Sequence, residues 1–221
     1  MSFNIAVDGP AGAGKSTIAK RVAEELGFVY VDTGAMYRTI ALGLLRKNAD
    51  CSDEAQLEAA LQDIEVSITY ENGQQQMLLN GENVTGCIRT EQVSQMASIS
   101  SAIPMVRAKL LQMQRSMAAS TDVLMDGRDI GTKILPDAQL KIYLTASIEA
   151  RAKRRHLEQE AKGENCTLEE IEKDIRVRDY RDMNREEAPL CQAEDAVLVD
   201  SSDMTVEEVV QRIVALVKDR I

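Results

Sequence analysis

Histidine is almost missing from this chain, with one in 221 residues, and the four cysteines are widely spaced. Cys51, Cys87, Cys166 and Cys191 form no C-x-x-C pair. Zinc sites are built from clustered Cys and His, so none is expected. Reduced, incidental thiols of a cytoplasmic protein fit this usage better. No apolar run approaches the roughly 20 residues that a membrane span needs. The N-terminus also lacks a basic region followed by an apolar segment, so export is not expected. Positive charge is in deficit as well: 26 Lys and Arg stand against 36 Asp and Glu, a formal net charge of −10. Polymeric nucleic acid is held by broad basic surfaces, so it is not an expected partner.

The chain does have enough apolar residues for a core, at 44% hydrophobic and 28% charged. Its length suits one domain, or one with a modest insertion. The strand-like run Phe3-Asn4-Ile5-Ala6-Val7-Asp8 leads directly into Gly9-Pro10-Ala11-Gly12-Ala13-Gly14-Lys15-Ser16-Thr17. This is the spacing G-x-x-x-x-G-K-[ST], whose turn points backbone N–H groups inward around an oxyanion. Gly12 and Gly14 tolerate conformations that a side chain would penalise. Lys15 brings a positive charge to the terminal phosphates, and the Ser16 hydroxyl can bind Mg²⁺. The helix that follows, Lys15 to about Leu26, turns its positive end toward the same anion. Strand, loop and helix together indicate a nucleoside-triphosphate site.

Apolar periodicity alternates strand and helix along the rest of the chain. Phe28–Val31 reads as a buried strand ending at Asp32, and a helix follows from about Ala35 to Lys47, with Thr33 able to cap it. Asp53 can cap another helix. Val123–Met125, Leu140–Leu144 and Ala196–Val199 are strands, and Thr205 to Val217 is an amphipathic helix. Such alternation implies an α/β fold with a parallel sheet flanked by helices. Ligands then gather at the strands' carboxyl ends, where Asp8, Asp32 and Asp126 fall. Val66–Tyr70, Met77–Asn80 and Asn83–Thr85 break the rhythm. Separated by Asn72-Gly73 and Asn80-Gly81, they predict an antiparallel meander within an insertion of about residues 64–98. Gly163–Thr167 is a break between two charged helices.

Three further groups bear on chemistry. Asp32-Thr33-Gly34-Ala35-Met36-Tyr37-Arg38 follows a strand and places Tyr37 and Arg38 one turn into a helix. Asp126-Gly127-Arg128-Asp129-Ile130-Gly131-Thr132 follows another strand, with Asp126 positioned to meet Mg²⁺ through water. Between Arg151 and Arg185 lie ten of the 26 basic residues, Lys162 among them. Arg178, Asp182 and Arg185 share one helix face there, as do Arg151, Arg154 and Arg155 on the preceding helix. These fit a lid over a triphosphate, and they also fit a solvated ion-pair surface.

With these four blocks in hand, Gly9–Ser16, Asp32–Arg38, Asp126–Thr132 and Arg178-Asp179-Tyr180-Arg181-Asp182, the chain resembles the bacterial cytidylate kinases of the nucleoside monophosphate kinase group. The resemblance implies a P-loop kinase fold with a small antiparallel β insertion and a helical lid. Its core would comprise residues 1–63, 99–147 and 186–221, its monophosphate-side insertion 64–98 and its lid 148–185. ATP with Mg²⁺ would be the donor, CMP or dCMP the acceptor, and a monomer the default assembly. The resemblance assigns Ser98, Arg107 and Asp129 to the cytosine, and Arg178 and Asp182 to the ribose. Tyr37, Arg38, Arg128 and Arg185 would hold the acceptor phosphate, beside Asp32 and Thr33. Arg151, Arg155 and Arg181 are the candidate lid cations that would meet the moving phosphoryl group. A GTP-hydrolysing switch is the rival of a different class, and the chain has no N-K-x-D tetrapeptide to read guanine. A kinase for UMP or dTMP is the nearer rival.

Overall fold

The computed structural model describes residues 2–161, 163 and 166–221. Lys162 and part of the predicted Gly163–Thr167 break therefore lie outside the described residues. In chain order the elements begin β1 (Asn4–Asp8), α1 (Lys15–Leu26), β2 (Val29–Asp32), α2 (Thr33–Arg46) and α3 (Glu54–Gln62). There follow β3 (Val66–Glu71), β4 (Gln74–Leu79), β5 (Glu82–Asn83), α4 (Glu91–Ser100) and α5 (Pro104–Ser120). The last are β6 (Val123–Gly127), a π-helical turn (Ile130–Ile134), β7 (Leu140–Thr145), α6 (Ile148–Glu160), α7 (Leu168–Asn184), β8 (Val197–Asp200) and α8 (Val206–Lys218).

The chain divides into two compact units, one of residues Met1–Tyr30 with Ala118–Ile221 and the other of Val31–Met117. The first is organised by a five-stranded sheet ordered β2-β6-β1-β7-β8. β1 pairs in parallel with β6 and β7, and β7 with β8. Ile5, Ala6 and Val7 are fully buried, as a strand covered on both faces requires. Ile5 and Val7 join a core with Ile18 and Val22 of α1 and Val210, Ile213 and Val217 of α8. The capping box of Thr205 and Glu208 satisfies the first N–H groups of α8. A smaller apolar cluster, Ala152, Ile171 and Ile175, joins α6 to α7. Strand order reverses at β1, because β6 lies on one side and β7 on the other. Doubly wound sheets bind ligands outside the carboxyl end of the strand at that switch.

In the second unit both Asn-Gly pairs make two-residue hairpin turns. Asn72 and Gly73 have φ 52° and 73°, Asn80 and Gly81 have φ 50° and 82°, and these link β3 to β4 and β4 to β5. Positive φ at both central residues is the type I′ geometry that matches strand twist. The third strand, expected at Asn83–Thr85, ends at Asn83. Met77 N–H donates to the Thr85 hydroxyl at 2.8 Å and Thr85 N–H to the Asn83 side chain at 3.0 Å, so side-chain bonds bend the chain out of the ladder. The last part of the 64–98 stretch is helical, beginning α4 behind its Thr90 cap. One cap also differs from expectation. Asp32, not Thr33, caps α2, its carboxylate accepting the Ala35 N–H at 2.8 Å. Asp32 is still extended, as an N-cap must be, whereas Thr33 is already helical.

Candidate active site

The phosphate loop joins β1 to α1. Gly9 has φ 151°, and a Cβ there would lie 1.9 Å from the Leu144 carbonyl oxygen, so β7 leaves room only for glycine. Gly12 and Gly14 are left-handed, at φ 74° and 86°. Gly14 caps α1 without a side chain, so no protein side-chain oxygen occupies the cap position. A helix start of this kind favours an anion. Ala11 is pinned on both sides: its N–H donates to Asp179 Oδ1 at 3.3 Å, and its carbonyl accepts from Arg151 Nη1 at 2.9 Å.

Lys15 is 6% exposed, and its Nζ donates to the Pro10 carbonyl at 2.7 Å. Burial, reinforced by the Arg128 charge, holds its ammonium pKa well below the ordinary lysine range. The Ser16 hydroxyl donates to Asp126 Oδ2 at 2.9 Å, and the Tyr30 hydroxyl to Asp126 Oδ1 at 3.0 Å. A hydroxyl and a carboxylate held together offer the oxygen donors that Mg²⁺ prefers. Among the described residues no three His, Cys, Asp or Glu side chains cluster as a dedicated metal cage. Mg²⁺ in phosphoryl-transfer sites takes the same form, one or two protein oxygens with the rest from substrate and water. The residues present therefore fit that ion.

The loop after β6 meets α7 through two ion pairs. Arg128 Nε bonds Asp182 Oδ2 at 2.8 Å, and Arg185 Nη2 bonds Asp129 Oδ1 at 3.3 Å. Both Asp129 and Asp182 are buried. Burial pushes the Asp182 carboxyl upward, but Arg128, Arg178 and Arg185 outweigh it and hold its pKa below the ordinary value. These residues thus pair with a neighbouring loop, unlike a solvated ladder along one helix. Arg151 is also buried, bonded to the Ala146 and Ala11 carbonyls and to Asp179 Oδ2 at 2.6 Å. Arg155 is half-buried on α6 and Arg181 exposed on α7.

Asp8, at the end of β1, accepts the Ile130 and Gly131 N–H groups at 2.8 and 2.7 Å. Burial pushes its carboxyl from 3.8 up to about 6, against the opposing pull of those two bonds. A folded pKa above the unfolded one gives stability that is complete below about pH 4 and is lost as pH rises through about 6. Relative to Asp8→Asn, the unmodified protein is expected to lose about 3 kcal/mol of unfolding free energy between those limits. Denaturant melts across the range measure this; a difference independent of pH would contradict it.

In the second unit, the Arg107 guanidinium lies 5.7 Å from the centre of the Tyr37 ring and donates to the Ser101 carbonyl at 3.1 Å. At that distance the ring face attracts the cation. Ser98 is half-buried on α4 and Thr33 is buried. A Cβ on Gly34 would lie 3.1 Å from both Arg38 Nη1 and Asp32 Oδ1, so glycine lets these groups approach the start of α2. Asp32 Oδ2 accepts from Arg89 at 2.8 Å, and the Gln75 amide clasps the Asp32 backbone through its N–H and carbonyl. Arg89, Gln75, Tyr30 and the clamping role of Asp8 were not foreseen. Arg89 and Gln75 stand alone in the insertion, with no local spacing to mark them. Asp179 lay within the quoted Arg178–Asp182 block.

A family model described as cytidylate kinase matches residues 5–219. The chain is 49% identical to a cytidylate kinase from Caldicellulosiruptor saccharolyticus over 97% of this chain and 95% of that one. It is 46% identical to one from Ligilactobacillus salivarius over 99% and 97% of the two chains. Among solved structures, a shikimate kinase from Bacteroides thetaiotaomicron superposes with a TM-score of 0.50 at 14% identity, covering 98% of each chain. That likeness speaks for the P-loop kinase fold alone.

Proposed function

The chain belongs to the cytidylate kinase family, and from that premise we infer its reaction: the γ-phosphoryl group of ATP passes to CMP or dCMP, giving ADP and CDP or dCDP. The observation that best supports this reading is the pair of ion pairs Arg128–Asp182 and Arg185–Asp129, in the same unit as the phosphate loop. A second set of cations, paired with the buried carboxylates of Asp129 and Asp182, is what a second anionic substrate needs.

Gly9 to Thr17 are assigned to ATP, with Lys15 on its terminal phosphates. Ser16 and Asp126 are the proposed protein side of the Mg²⁺ site; when bound, the ion neutralises donor phosphate charge. In the first unit Arg128 and Arg185 are assigned to the acceptor phosphate, Asp182 and Arg178 to the ribose, and Asp129 to the cytosine amino group. In the second unit Tyr37 and Arg38 are assigned to phosphate, with Asp32 and Thr33 supporting that helix start. Arg107 and Ser98 there are assigned to the acceptor edge of the base, whose O2 and N3 want donors.

No general base is required, because the CMP phosphate is mostly ionised at neutral pH. The task is to bring two anions into line, which positioning and electrostatics accomplish. Arg155 and Arg181 are proposed to meet the developing charge, and Arg151 to act on the phosphate loop through Ala11. Residues 148–185 are proposed as a lid that excludes water, and 64–98 as the monophosphate-side insertion. No helix of the described residues is long and apolar enough to cross a membrane. A cytoplasmic monomer is the proposed state.

Calorimetric titration tests the acceptor assignment. Asp182→Ala is expected to weaken CMP binding by about tenfold or more, while ATP binding changes by less than about threefold, as loss of one charged hydrogen bond predicts. Equal weakening of both nucleotides would remove Asp182 from the ribose.

A further inference from the structure

The π-helical turn Ile130–Ile134 starts at Asp129, yet the Asp129 side chain makes no capping bond to it. Aspartate is among the strongest N-caps, so a carboxylate at this position would ordinarily turn back onto its own helix. Here the turn's first two N–H groups, Ile130 and Gly131, are already taken by Asp8, 122 residues earlier than Ile130. The Asp129 carboxylate is turned to Arg185 instead. The loop is also held from a second side. A Cβ on Gly131 would lie 3.1 Å from Lys141 Cδ and 3.4 Å from Asp8 Oδ2, so its backbone sits against the Lys141 stem. Lys141 is anchored in turn, its Nζ on Asp195 at 2.9 Å.

We infer that Asp8 is a positioning residue for base selection: by capping the Ile130 turn across the sheet, it releases the Asp129 carboxylate for the cytosine amino group. This rests on the assignment of Asp129 to the base. The chemistry favours a carboxylate at position 8, because two oxygens accept two N–H groups at once. An asparagine accepts one and presents its own NH₂ to the other. The loop would then shift, and the Asp129 side chain would be drawn back to cap its own turn. Cytosine would lose an acceptor for its amino group. Uracil would lose a repulsion, since its O4 is an acceptor facing a carboxylate.

Calorimetry with CMP and UMP, together with the KM for ATP, tests this in Asp8→Asn. The expected result is about a tenfold or greater loss of CMP affinity, with UMP affinity held or improved and the ATP KM within about twofold. A purely structural Asp8 would weaken all three ligands alike, and that outcome overturns the inference. Gly131→Ala disturbs the same loop from the Lys141 side and should collapse the CMP-to-UMP ratio equally. It serves if Asp8→Asn does not fold. Asp129→Ala separates the two levels. If it leaves the ratio unchanged, the base assignment fails and the inference falls with it. If it collapses the ratio while Asp8→Asn and Gly131→Ala do not, the role of Asp8 alone is overturned.

Discussion

Replacing Lys15 by methionine is expected to lower turnover by about 10³-fold or more while leaving stability unchanged or raised. The two effects have one origin. Lys15 is held in a buried site beside Arg128, and burial depresses its pKa well below the ordinary range, so the fold carries a charge it would shed more easily than a solvated lysine. Methionine fills similar space without that charge and gives up one charge-assisted hydrogen bond to Pro10, worth about 1.5–3 kcal/mol, which relief of the buried charge offsets. The charge is useful only when donor phosphates are present, where such a partner supplies several powers of ten in rate. Steady-state kinetics and urea melts on the same preparation check both halves. A variant that is several kcal/mol less stable would show that Lys15 is a structural ammonium.

Arg185→Ala is expected to cost about 10³-fold in turnover, through loss of charge on the acceptor side. From sequence alone this change is expected to cost activity far more than stability, but the structure alters that expectation. Arg185 donates from Nε to the Ala188 carbonyl at 2.7 Å and pairs with Asp129, which is itself buried. Removing one partner of a buried ion pair costs about 3–5 kcal/mol. Adding Asp129→Asn removes the charge that Arg185 offset. The double variant should therefore recover much of the stability and none of the acceptor-phosphate function. Melts of the single and double variants with turnover measured in parallel test this. Recovery of turnover along with stability would mean that Arg185 acts only through folding.

These contrasts show how much of the site was legible in the chain. The phosphate loop was legible because its glycines serve a local backbone shape. So were the Asn-Gly hairpins, where φ is set by two residues. What escaped was decided by the detailed local geometry or by atoms far away in sequence. Asp32 caps α2 although Thr33 carries an equally suitable hydroxyl, because α2 already begins at Thr33 and leaves Asp32 as the last extended residue. Thr85 ends the meander by offering a hydroxyl to Met77. Arg151 reads as one more charge on a basic helix, yet it is buried against Ala11 and Asp179. Its position is fixed by how α6 meets the phosphate loop, and periodicity carries no information about that. Asp8 was placed at a strand end, but its bonds to Ile130 and Gly131 depend on β1 lying beside β6.

The most direct test of the account is ADP release from ATP and Mg²⁺ with CMP, dCMP, UMP, AMP, GMP and dTMP offered singly as acceptors. Fast turnover confined to CMP and dCMP is the expected result, and it ties the reaction to a site that reads cytosine. Preference for another monophosphate, or ADP release that no acceptor accelerates, would contradict the assignment of Arg107 and Asp129 to the base.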